Sequence, residues 1–211
     1  MKFRRKSDAD AVPETDVESD SSEADSGPTG PYDVADLVEG VDRVDLGSLV
    51  IEPEAGRELR LQVDEQSGDV QAVVLAGADG AVELRAFAAP RNGDLWADVR
   101  PQIAADMARR GGTATEREGA FGPELLCELT VTRADGSTGS QPSRIVGVNG
   151  PRWLLRATFL GRPAVEPAGA AAWEDTLRRV AVRRGGHALP VGEPLPLILP
   201  ENARRADAPS E

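Results

Sequence analysis

Two apolar runs meet near residue 149: Ile145 to Val148, then Trp153 to Leu160, with Asn149-Gly150 after the first. Asn-Gly between apolar runs is a strong hairpin signal, because both central residues of a type I′ turn need positive φ. A two-residue turn there places Gly147 opposite Arg152, Ile145 opposite Leu154 and Ser143 opposite Arg156. The second strand has the densest apolar content of the chain, so other elements must cover it.

Upstream, Arg43 to Leu46 and Ser48 to Ile51 read as short extended pieces straddling Gly47. Arg57 to Val63 alternates, with Leu59, Leu61 and Val63 on one side and Glu58, Arg60 and Gln62 on the other. Val70 to Leu75 and Val82 to Ala88 continue this as an antiparallel meander with one wet face. Asp94 is placed to cap a helix reaching about Arg110, with Leu95, Val99, Ile103 and Met107 as its apolar stripe. Pro101 predicts a kink or a short first turn, and Gly111-Gly112 a stop. Strands follow at Thr113 to Glu118 and Glu124 to Thr132, then a turn at Ala134 to Ser137. A second helix spans about Ala168 to Arg179, and Val180 to Arg183 is a last strand. Leu189 to Pro200 reads as a proline-rich strap docking through Leu195, Leu197, Ile198 and Leu199. The fold class expected is α+β: a single domain with an antiparallel sheet of about six to eight strands and two helices packed on one face.

Composition sets the boundaries. Residues 7–30 carry almost no large apolar side chain and cannot offset their chain entropy. The division expected is a disordered acidic tail with a basic start (1–31), the α+β domain (32–187), the strap (188–200) and a disordered tail (201–211). The formal charge is −12, but residues 1–39 account for −7 and residues 201–211 for −1, leaving −4 for the rest. The acidity belongs mainly to a tail, and a domain-wide nucleic-acid footprint, which needs a basic face, is not expected.

Lys2 and Lys6 are the only lysines, the arginine-for-lysine bias of a GC-rich bacterial genome. Cys127 stands alone on the apolar side of its strand, which predicts a buried, inert thiol and no disulfide within one chain. No apolar run is long enough for a transmembrane segment, and the MKFRRKSDAD start lacks the apolar core of a signal peptide, so a cytoplasmic location is expected.

The search for chemistry is short. His187 is the only histidine and falls in a glycine-rich loop, which gives no nucleophile–base set and no zinc site. No phosphate-loop pattern and no Asp spacing of an EF-hand occur. No catalytic residue, metal or cofactor is assigned. Trp96, Trp153 and Trp173 read as core packers rather than a ligand pocket. The remaining candidate is arginine. In the hairpin above, Arg152 and Arg156 share a face, with Arg144 on the other, and Arg85 or Arg91 nearby would complete an anion-binding cluster. The alternative is pairing with carboxylates such as Glu83 or Glu128 on a solvated sheet.

GPRWLLR (150–156), LRAFAAPRNGDLW (84–96), GAFGPELL (119–126) and RVDLGSL (43–49) together resemble an actinobacterial domain-of-unknown-function family, the one numbered 3710, over about Tyr32 to Pro200. The resemblance implies no activity and no functional residues. A looser likeness of architecture is to the photosystem accessory protein PsbP and the Ran-binding protein Mog1, whose folds also set a helix after early antiparallel strands. The function expected is a non-catalytic, cytoplasmic protein-interaction or assembly-assisting module with a protein partner. The alternative is a small-molecule anion binder or enzyme built on Arg85, Arg91, Arg152 and Arg156.

Overall fold

A strand whose odd and even positions are both apolar must lie inside a sheet covered on both sides. The strand Trp153–Gly161 (β10) is that strand. In the computed structural model, which describes residues 30–132 and 136–199, it sits in the middle of a seven-stranded antiparallel sheet. Its companions are β4 (Glu58–Val63), β5 (Val70–Ala76), β6 (Gly80–Ala88), β7 (Thr113–Gly119), β8 (Gly122–Thr132) and β9 (Thr138–Gly150), in the order β4-β5-β6-β10-β9-β8-β7. A second, four-stranded mixed sheet, ordered β1-β11-β3-β2, joins β1 (Tyr32–Asp33), β2 (Val44–Asp45), β3 (Leu49–Ile51) and β11 (Val180–Val182). The helices are α1 (Leu95–Arg109), α2 (Arg162–Val165) and α3 (Pro167–Arg178). Residues 1–29 of the expected N-terminal tail, the expected tail 201–211, and residues 134 and 135 of the turn expected at 134–137 lie outside the described residues.

The α+β class and the antiparallel sheet are as the hydrophobic pattern predicts. The helices, however, do not share a face. Trp153, Leu155, Ala157 and Phe159 of β10 point into a core with Val73, Leu75, Val82 and Leu84, closed by Trp173 and Leu177 of α3 and by the small sheet. Leu154 points the other way, to a second cluster of Leu95, Trp96, Leu125, Cys127 and Ile145 beneath α1. A strand apolar at both parities needs cover on each face, so one helix goes to each.

Asp94 caps α1 as expected, accepting from Ala97 N–H at 2.9 Å, and Gly111 at φ 77° ends it. The helix runs through Pro101 as one element, without the expected short first turn. The strap hydrogen-bonds to β6: Gly192 N–H to Ala88 O, Ala88 N–H to Glu193 O and Leu195 N–H to Ala86 O, each 2.8 Å. It occupies the place beside β6 that β5 gives up, since β5 pairs with β6 only from Val73↔Leu84 to Ala76↔Ala81. Leu195 is buried there and Leu197 packs part-buried on the same core. Ile198 donates its N–H to Leu46 O at 2.9 Å with its side chain largely exposed beside Gly47, and Leu199 is exposed.

The central hairpin forms, but its turn lies two residues later than Asn149-Gly150. Trp153 pairs with Gly150 and Leu154 with Asn149, leaving Pro151-Arg152 as the turn. Arg152 has φ 63°, so the turn has proline second and a positive φ third, the pattern of type II. Arg152→Gly removes about 1–2 kcal/mol of left-handed strain and adds about 0.4–1 kcal/mol of unfolded-state entropy. A net gain of up to about 1.6 kcal/mol is expected, read as a higher urea midpoint at unchanged slope.

Candidate functional site

The shifted register redistributes the candidate arginines. Arg156 lies directly opposite Arg85 on β6, on the α1 side of the sheet, with Gly147 as its neighbour on β9. Arg152 leaves the sheet face for the turn and is exposed, as is Arg91 in the loop after β6. That loop is tied to the turn by Ala89 N–H donating to Arg152 O at 2.9 Å. The structure therefore makes a pair of Arg85 and Arg156. It sets Arg91 and Arg152 at the hairpin end, beyond the last pair Trp153↔Ala88, which is itself roughly 10 Å from Arg85 and Arg156 at three residues of strand rise. The expected sharing of a face by Arg152 and Arg156 does not occur, because it rested on the wrong turn.

Arg85 is held in place by Gln71, donating through Nε to the main-chain oxygen at 2.8 Å and through Nη2 to Oε1 at 3.0 Å. Arg156 lies over the ring of Phe87, 5.3 Å from its centroid. Burial and the facing charge of Arg85 press the Arg156 guanidinium below its ordinary pKa, with Glu83 opposing. Among the described residues neither arginine has a carboxylate within 4.0 Å. Glu128, the other partner considered, accepts from Ser140 Oγ instead, at 2.6 Å.

The corner beside the pair is built by α1. Trp96 is 3% exposed and donates its indole N–H to Pro123 O at 2.6 Å. Asn149, misread as a turn residue, belongs here. Its Nδ2 donates to Asp94 Oδ1 at 2.6 Å, and its Oδ1 accepts from Trp96 N–H at 3.3 Å, joining β9 to the start of α1. Gly150 lies against the ring of Trp153, where a Cβ would collide.

The three tryptophans form no shared pocket. Each is buried with its N–H satisfied, Trp153 by Asp33 Oδ2 at 2.8 Å and Trp173 by Asp79 Oδ1 at 3.2 Å. Cys127 is buried, and desolvation raises its thiol pKa. His187 is exposed in its loop. Among the described residues no group of three His, Cys, Asp or Glu side chains could hold a metal. No described helix is long and apolar enough to cross a membrane. A cleft of about 190 Å³ opens where β5 and β6 part, between Gln71, Arg85 and Pro194–Leu197 of the strap.

A buried ionic cluster went unread in the sequence. Arg144 on β9 points to the α3 side and bonds Glu124 of β8 (Nε to Oε2, 2.9 Å) and Glu174 of α3 (Nη2 to Oε1, 2.6 Å). Arg117 of β7 reaches the second oxygen of Glu124 at 2.7 Å. Burial lowers the Arg144 pKa, and its bonds to the two carboxylates more than reverse this. The cluster ties three strands to a helix, so it is a clamp on the fold.

Residues 30–206 match the model of a family described as proteins of unknown function, DUF3710. The chain belongs to that family. No curated protein matches it. Within this DUF3710 chain, the segments LRAFAAPRNGDLW and GPRWLLR build the corner just described. The first supplies Arg85, Phe87, Asp94 and Trp96, and the second the Pro151-Arg152 turn and Arg156. GAFGPELL brings Pro123, which receives the Trp96 indole, and the clamp residue Glu124.

Proposed function

We propose that this DUF3710 domain is a non-catalytic binding module whose recognition surface is the uncovered half of the α1-bearing face. One asymmetry of the sheet carries this reading. The face bearing Trp153 is roofed by α3, the small sheet and Leu195 of the strap. On the other face, α1 packs over β7, β8 and β9 and reaches β10 at Leu154. Beyond it, Glu58, Arg60 and Gln62 of β4 are exposed, and Val74, Arg85, Phe87, Arg156, Thr158 and Leu160 are part-exposed. The outer edge of β4 carries no further strand among the described residues. A mixed polar and apolar sheet face ending in an open edge suits a protein partner. The low-lysine composition fits a GC-rich, actinobacterial source, and a cytoplasmic setting is part of the same reading.

The test is site-specific photo-crosslinking in the native cell. A benzophenone side chain at Val74 or Arg60 is expected to give a discrete adduct with another protein. The same group at Glu65, in the β4–β5 turn, is expected to give none. Absence of an adduct at Val74, or equal yield at Glu65, would overturn the assignment.

A further inference from the structure

Most of the described arginines pair with carboxylates, among them Arg100 with Glu116, Arg117 and Arg144 with Glu124, and Arg183 with Asp45. The cross-strand pair Arg85–Arg156 departs from that habit. Like charges directly opposite on neighbouring strands are destabilising, and a half-buried guanidinium loses hydration as well. The arrangement nonetheless has the features of a prepared site. Gln71 fixes Arg85 through two bonds and leaves Nη1 unbonded among the described residues, while Arg156 has no hydrogen bond at all among them. Phe87 lies beneath Arg156. On the far side Gly147 supplies no side chain, and Trp96 stands over it as a wall. Glu83 lies on the same face two residues from Arg85, opposite Thr158. It belongs to the rim of the site and makes no ion pair with either arginine.

We infer that Arg85 and Arg156 form a binding site for an oxyanion, a phosphate or carboxylate group taken between the two guanidinium forks. The inference rests on the recognition surface proposed above and gives it a chemistry. With Gln71 holding the Nε and Nη2 edge of Arg85, its Nη1 and the unbonded guanidinium of Arg156 are the N–H groups left for the oxygens of one anion. The anion would cancel the repulsion between the two arginines, so binding and stability are linked. The oxyanion can be free in solution or borne by a protein partner.

The full chain is titrated with inorganic phosphate at constant ionic strength, with chloride as the reference salt. The melting temperature and the arginine Nε–Hε resonances are followed. The wild type is expected to melt higher in phosphate, with saturable shifts at Arg85 and Arg156 and none at Arg91. Arg156→Met keeps most of the volume and removes one charge. It should melt at or above wild type in chloride, lose the response to phosphate, and bind phosphate at least about tenfold more weakly. A variant that melts lower in chloride, as expected if Arg156 were only a strut on Phe87, would overturn the site, as would an undiminished phosphate response. Should Arg156→Met not fold, the wild-type resonances decide: no saturable shift at the two arginines refutes the proposal. A phosphoserine peptide separates the two sources. Tighter binding than inorganic phosphate assigns the group to a protein partner, and equal binding assigns a free anion. Either result upholds the site. Loss of the crosslink at Val74 with an intact phosphate response would remove the protein partner and leave the anion site standing.

Discussion

Arg144→Ala is expected to destabilise the domain by about 3–5 kcal/mol, the range for removing one member of a buried ion pair. Glu124 is fully buried and Arg144 is 1% exposed, so water cannot replace the lost partner. The alanine variant leaves Glu124 with Arg117 alone and frees Glu174 of α3 from its tie to the sheet. Gly119 packs against the Glu124 carboxylate so closely that even a Cβ there would collide, which leaves the acid little room to swing toward solvent. For a chain of this size the melting temperature should fall by roughly 10 °C or more. Urea denaturation at constant slope measures the free energy directly. The double variant Glu124→Leu with Arg144→Met should recover most of the loss, because an apolar pair of similar volume avoids desolvating either charge. If Arg144→Ala costs under about 1 kcal/mol, the cluster is not the clamp described.

Much of the sheet was legible along the chain because its signals are local. Leu59, Leu61 and Val63 alternate with polar residues, and Asp94 followed by the Leu95, Val99, Ile103, Met107 stripe marks a capped helix. The misreadings share one cause: residues that carry a local signal but answer to a distant contact. Asn149-Gly150 has the composition of a turn, yet Asn149 serves the start of α1 and Gly150 makes room for Trp153. Moving the turn to Pro151-Arg152 changes every cross-strand neighbour. It takes Arg152 off the face and sets Arg156 against Gly147 rather than Ser143. The Arg85–Arg156 pairing depends on the contact of β6 with β10, strands separated by α1 and three further strands, and no periodicity reports that. Arg144 and Glu124 were hidden the same way, because a polar residue at an alternating position signals solvent unless its partner is known. Placing α1 and α3 on opposite faces required knowing which strand is central.

The second large effect tests the corner where α1 meets the arginine pair. Gly147→Val is expected to destabilise the domain by about 3 kcal/mol, although valine is the better strand former by up to about 1 kcal/mol. A Cβ at position 147 would fall among Cγ, Cδ2 and Cε3 of Trp96, well inside contact distance. The ring cannot yield cheaply. It is buried, its indole N–H bonds Pro123 O, its main-chain N–H bonds Asn149, and Arg100 lies 5.9 Å from its centroid. Overpacking a core costs about 1–3 kcal/mol, and a buried indole donor torn from its acceptor adds about 1–3 kcal/mol, so the steric terms outweigh the propensity gain. Tryptophan emission should shift to the red as Trp96 gains water. Hydrogen exchange should quicken along α1 while the amides shared by β6 and β10 keep their protection, since those strands pack beneath α3. Unchanged emission together with unchanged stability would mean that Trp96 does not stand over Gly147. With the wall beside Arg156 displaced, the phosphate response should weaken in the same variant even though both arginines remain, because an anion held by two forks depends on what keeps them facing each other.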